Sequence, residues 1–320
     1  MTFTLKTLSC FVASAVILLG TSTSIAANRS APAVRSVGPA ELDMQILLDR
    51  SNFSSGEIDG KGGKNSREAL AAFQTARGLA PGAQSRKALL QALGAGTVKP
   101  IVSYTITAED VAGPFNKTIP EDATEQSKLP GLYYTSVLEE LAGKFHSAQA
   151  LLKRLNPRAR FIAGEHIRVP NVLGAEQATR AQTGAVKIVV SKKASVLMVY
   201  DREGQIIFYA PVTSGSEHDP LPFGNWVITD VVRNPTYNYN PALFWDGDQA
   251  NAKVKIAPGP NNPVGVVWMG INVPHYGIHG TPEAGEIGHS ASHGCVRMTN
   301  WDATRVADLV RDGTPVVFEE

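Results

Sequence analysis

Cysteine, net charge and long apolar runs are all scarce in this chain, and each shortage closes off a class of protein. Only Cys10 and Cys295 occur among 320 residues. Cys10 falls in a leading segment that reads as removable, so the remaining chain holds one thiol and cannot form an internal disulfide. Thirty Lys and Arg stand against 29 Asp and Glu, a formal charge of +1. No Lys/Arg run is dense enough to track a phosphate backbone, which excludes nucleic acid as a partner. The apolar run from Leu8 to Gly20 is short for a ~30 Å hydrocarbon core, which needs roughly 20 residues. Lys6 before it and Ser24-Ile25-Ala26 after it instead match an export signal over residues 1–26. The expected destination is the periplasm or cell envelope, with the membrane touched only through that signal.

An apolar content of 43% is enough for two or three packed domains. Residues 27–37, rich in Ala, Pro, Arg and Ser, read as a linker. Leu42, Ile46, Leu47 and Leu48 fall at helical spacing, and Gly56 to Gly63 is a turn-rich stretch. Asn65 or Ser66 is placed to cap a second helix carrying Leu70 and Phe73, and a third runs from Ser85 to Leu93. Over 98–172 the pattern is a strand at Tyr104–Ile106, two helices carrying Leu141, Phe145, Leu151 and Leu155, and a closing strand at Gly164–Pro170. Residues 173–184 read as a second linker. Period-two alternation at Val186/Ile188/Val190, Val196/Met198/Tyr200 and Ile206/Phe208/Ala210 then predicts a mainly antiparallel β domain over 185–320, with a late helix near Asp302 to Val310. The fold class expected is multidomain α+β.

His275, His279, His289, His293 and Cys295 crowd into one short stretch. Two chemistries fit: a thiolate nucleophile with an imidazole base, or a metal held by imidazole and thiolate. Both His pairs are spaced by four, which would suit ligands on a helix. Gly277, Gly280, Pro282, Gly285, Gly288 and Gly294 instead make this strand and loop, no second thiol is present, and only Glu283 and Glu286 could add carboxylates. The expectation is therefore no metal. A thiol with a pKa near 8.5 needs an imidazole or a cluster of backbone N–H dipoles to become a nucleophile at neutral pH. His279 can take the thiol proton, and the amides around Gly294 and Cys295 can address one oxygen as an oxyanion hole.

Tyr276-Gly277-Ile278-His279-Gly280-Thr281, followed by Ser292-His293-Gly294-Cys295-Val296-Arg297-Met298, resembles the active-site signature of the L,D-transpeptidases, the YkuD-type domain. Pro222-Phe223-Gly224-Asn225-Trp226, Pro258 to Pro263 and Asn300-Trp301-Asp302-Ala303 extend the likeness. The resemblance implies a β-sandwich in which Cys295 attacks a peptide carbonyl and His279 serves as base and then acid. It gives His293 the oxyanion site, Ser292 the loop and Arg297 a substrate carboxylate. Tyr276 and Trp268 are candidates for substrate contact, with core packing as the alternative. Gly280 offers no side chain to orient His279, so a backbone carbonyl is the expected third group.

The implied donor is a peptidoglycan stem tetrapeptide, cut before its terminal D-alanine through a thioester. The acceptor is an amine, giving a 3→3 cross-link or lipoprotein attachment, or water. Carbapenem acylation of the thiol is implied, and no metal or organic cofactor. Upstream, residues 38–95 resemble a small three-helix peptidoglycan-binding domain. Residues 98–172 resemble a LysM glycan-binding module with an unusually long loop at Pro114–Pro130. A zinc-dependent peptidoglycan hydrolase and a non-catalytic wall-binding protein are the alternatives.

Overall fold

A computed structural model describes residues 39–80, 82–174, 187–243 and 252–320. The export signal, the first linker and most of the second lie outside the described residues. Helix α1, Pro39–Arg50, carries apolar side chains on more than one face, the mark of a helix enclosed by neighbours rather than laid on a surface. Leu42 and Ile46 join a buried cluster with Ile106, Leu141, Phe145, Leu151 and Val169. Met44, Leu47 and Leu48 join another with Phe53, Phe73, Val196 and Tyr209. One helix thus serves two cores.

Helix α2, Lys64–Ala76, starts after Gly63 without a side-chain cap, so that the cap position falls two to three residues before the expected ones. Both expected caps are engaged elsewhere: Asn65 Nδ2 donates to the Ile287 carbonyl at 3.0 Å, and buried Ser66 accepts from Gln45 Nε2 at 3.2 Å. Helix α3, Arg86–Ala92, begins as the sequence predicts, with the Ser85 hydroxyl accepting from the Ala88 amide.

Strands β1, Ile101–Thr105, and β2, His166–Pro170, pair antiparallel. Between them lie α4, Ala123–Gln126, in the long loop, then α5, Val137–Lys144, and α6, Gln149–Leu155. The strand–helix–helix–strand order read from the sequence is therefore present, with α4 added.

The remaining strands are β3 (Lys187–Ser191), β4 (Val196–Tyr200), β5 (Ile206–Pro211), β6 (Thr213–Ser214), β7 (Gly224–Arg233), β8 (Tyr237–Tyr239), β9 (Val254–Ile256), β10 (Val267–Ile271), β11 (Gly277–His279), β12 (Val296–Arg297) and β13 (Pro315–Glu319), with helix α7 (Asn300–Leu309) before the last. β8 and β9 form a separate pair. The others make a nine-stranded sheet in the order β5-β4-β3-β13-β7-β10-β11-β12-β6. Only β13/β3 and β11/β12 are parallel neighbours, so the sheet is mainly antiparallel. Its two edge strands, β5 and β6, are separated in sequence by Val212 alone, which makes the sheet fold back on itself. Ile188, Leu197, Val199, Phe208, Ile228, Met269, Ile278, Val296 and Phe318 fill the interior with Ala303 and Val306 of α7, each large apolar side chain contributing about 1.5–3 kcal/mol on burial.

A buried polar cluster ties α1 to α7. Arg305 Nη2 donates to Asp49 Oδ1 at 2.9 Å, and the His146 ring lies 3.2 Å from the same carboxyl. Burial alone would raise the Asp49 carboxyl, but Arg305 and His146 overcome that and hold it well below the usual carboxylate range. Asp302 accepts from the Ser54 and Thr299 hydroxyls, both at 2.8 Å, and burial pushes its carboxyl up to about 7 despite Arg305 nearby.

Candidate active site

Strands β11 and β12 run parallel, with Ile278 opposite Val296 and His279 opposite Arg297. Ile278 and Val296 are fully buried in the sheet interior. Because successive strand residues face opposite sides, His279, Cys295 and Arg297 share the other face.

The His279 Nδ1 lies 2.6 Å from the Gly280 carbonyl oxygen. A carbonyl can only accept, so the proton sits on Nδ1 and the Nε2 lone pair is left to act as a base. The third group is thus the backbone carbonyl that the sequence predicts. Across the sheet the ring stacks on Trp268 at 5.5 Å and 20° between planes. Burial lowers the imidazole pKa to about 4, with the Arg297 guanidinium adding to the effect against the Gly280 bond.

Cys295 is half-buried, and its thiol donates weakly to the His275 carbonyl at 3.6 Å. Burial pushes it up to about 11, although the Gly277 amide and Arg297 both favour the thiolate. Sulfur and imidazole are therefore both neutral at pH 7. Desolvation thus outweighs the dipoles around the sulfur.

Ser292 binds the loop from two sides. Its buried hydroxyl accepts from the Gly215 amide at 2.7 Å and donates to the Cys295 carbonyl at 2.5 Å. Gly294 has φ +97°, and a Cβ there would meet Tyr276 Cε1 at 2.6 Å, so the Tyr276 ring lies against the residue before the thiol. Arg297 Nη2 donates to the Ala291 carbonyl at 2.8 Å, and Nη1 stands 3.6 Å from Glu283. His293 is exposed next to Gly294, and His275 and His289 are also exposed. Among the described residues no three His, Cys, Asp or Glu side chains come together as a metal site.

Two further residues bear on the site. Tyr237, on β8, is half-buried, and burial together with the nearby Cys295 raises its hydroxyl. Asn300, the first residue of α7, accepts from the Val266 amide at 3.1 Å and donates to the Pro260 carbonyl at 3.0 Å. A Cβ on Gly280 would meet its Oδ1 at 2.3 Å. Asn300 thus packs against the residue whose carbonyl orients His279. Its signal was present in the Asn300-Trp301-Asp302-Ala303 segment, whereas Tyr237 sits in a stretch with no chemical motif.

The family model described as the YkuD L,D-transpeptidase catalytic domain matches residues 185–318. YkuD of Bacillus licheniformis is 29% identical over 182 residues, covering 56% of this chain and 91% of that protein. YkuD of Bacillus subtilis is 27% identical over 183 residues, covering 57% and 92%. Both are named as L,D-transpeptidases. Among solved structures, L,D-transpeptidase 3 from Mycobacterium tuberculosis, in complex with a faropenem-derived adduct, aligns at 19% identity and a TM-score of 0.35. That alignment takes in 42% of this chain and 60% of the solved one.

Proposed function

Residues 185–318 are an L,D-transpeptidase catalytic domain of the YkuD family, and from that premise we propose that the chain transfers peptidoglycan stem peptides through a thioester on Cys295. His279 Nε2 takes the thiol proton as sulfur attacks the carbonyl that precedes the terminal D-alanine of a tetrapeptide. The C–N bond breaks, the proton passes to the departing amine, and free D-alanine leaves. An acceptor amine then attacks the thioester carbonyl, His279 takes its proton and returns it to the sulfur, and a new amide remains. A stem side-chain amine yields a 3→3 cross-link, a lipoprotein lysine a tether, and water a trimmed stem.

The amides of Gly294 and Cys295 stabilise the oxyanion, with His293 beside them. Ser292 holds the loop, Arg297 receives a substrate carboxylate, and Tyr276 meets the peptide while Trp268 backs the base. Residues 38–95 and 98–172 assist in holding the wall, and the protein works in the periplasm or cell envelope after export. The observation that carries this reading is the imidazole pinned by Gly280 on β11, the strand paired with the one that Cys295 directly precedes.

A carbapenem carbonyl is an acyl donor of the same kind, which makes a direct test available. Intact-mass measurement after mixing with meropenem should show one covalent adduct in the parent protein and none in Cys295→Ala. An adduct that survives the substitution, or none in the parent, would remove the thiol from the mechanism.

A further inference from the structure

The turn between β3 and β4 carries Lys192, and its backbone is fixed on both sides. The Lys192 amide donates to the Glu319 carbonyl of β13 at 2.9 Å, and the Lys192 carbonyl accepts from the Ser195 amide at 3.1 Å. From that base the side chain reaches the end of β6. Lys192 Nζ donates to the Ser214 carbonyl at 3.0 Å and to the Gly215 carbonyl at 2.8 Å. Both bonds are charge-assisted, about twice as strong as bonds between neutral groups.

The segment gripped in this way also holds the loop of Cys295. The Gly215 amide donates to Ser292 Oγ at 2.7 Å, and that hydroxyl donates to the Cys295 carbonyl. Ser214 pairs with Val296, the residue after Cys295. Gly215 sits at φ +47°, and a Cβ there would meet the Leu221 amide nitrogen at 2.4 Å and Lys192 Nζ at 3.0 Å. The turn is therefore enclosed, with a backbone that suits glycine. Hydrogen bonds run in series from the ammonium through Gly215 and Ser292 to the backbone of Cys295.

We propose that Lys192 is a positioning residue for the transfer reaction, acting through Gly215 and Ser292 to fix where the Cys295 sulfur stands. The inference rests on Cys295 being the nucleophile, as proposed above. Without the ammonium, the two carbonyls lose their common donor and the Gly215 turn is free to shift, taking the partner of Ser292 with it. A displacement of about 1 Å at a reacting atom slows attack by as much as about 100-fold.

The test is a double-mutant cycle on the full chain, read as the rate of meropenem acylation by intact mass. Lys192→Met keeps the aliphatic stem, removes the donors and should slow acylation about tenfold or more. In a Ser292→Ala background the link is already cut, so adding Lys192→Met should change the rate by less than about twofold. A lysine that served only the stability of the fold would lower the melting temperature and leave the acylation rate of folded protein unmoved. Should Lys192→Met melt below the assay temperature, Lys192→Gln carries the same cycle. Acylation at the parent rate, or a loss that multiplies in full with that of Ser292→Ala, would overturn the proposal and leave the thiol mechanism standing. A parent protein that forms no adduct would overturn both.

Discussion

As nucleophile and base, Cys295 and His279 would act as a neutral thiol and a neutral imidazole, and that pairing makes a definite demand on pH. The His279 pKa is lowered to about 4, so the base keeps its lone pair until the solution becomes strongly acidic. The thiol, raised to about 11, keeps its proton throughout the physiological range. Meropenem acylation rates should therefore stay level from neutral pH down to about 5 and fall only as His279 protonates near its shifted value. An acid limb between pH 6 and 7 would show an ordinary imidazole and defeat the neutral-pair account. Cys295, His279 and Ser292 were legible in the sequence as candidates for nucleophile, base and loop anchor, through residue type and spacing. The resting charge state was not, since it depends on how much water the fold removes from the sulfur. Tyr237 reaches Cys295 from another strand pair, and no local pattern announces such an approach.

Strand alternation revealed the long members of the sheet, since runs such as Val186/Ile188/Val190 state their period openly. β11 and β12 have three and two residues, too few to display a period, and their parallel pairing depends on a loop between them that no propensity describes. The short turn into β12 is also where a single methyl group should do most harm. Gly294→Ala places a Cβ 2.6 Å from Tyr276 at φ +97°, at a cost of about 1–3 kcal/mol in backbone strain. Displacing the thiol by a fraction of an ångström to 1 Å should slow meropenem acylation about 100-fold, with circular dichroism unchanged. Acylation at the parent rate would mean that the loop tolerates the shift. The start of α2 shows the opposite kind of miss: Asn65 and Ser66 have good capping chemistry, but tertiary partners claimed both side chains first.

The described residues, from 39 to 320, belong to a single compact unit, and the sequence, read locally, divides them into modules. Leu42, Ile46, Leu47 and Leu48 were visible as a helix. That its opposite faces would complete two different cores was not, because the partners lie far along the chain. The Asp49–Arg305 pair spans 256 residues and is buried at both ends. Removing one member leaves the other charge stranded, so Asp49→Ala should cost about 3–5 kcal/mol. In a thermal melt this should appear as one transition lowered by about 10 °C. A variant in which only an early helical phase moves while the sheet melts at its original temperature would show the two parts to be separable.

The same arrangement has a mechanical side. α1 grips α7 through Asp49 and Arg305, α7 opens with Asn300, and Asn300 bears on the glycine whose oxygen steers the base. A pull applied near residue 39 would travel along rigid, interlocked parts to the reactive strand with no slack to absorb it, so tension on the front of the molecule would be felt at the imidazole.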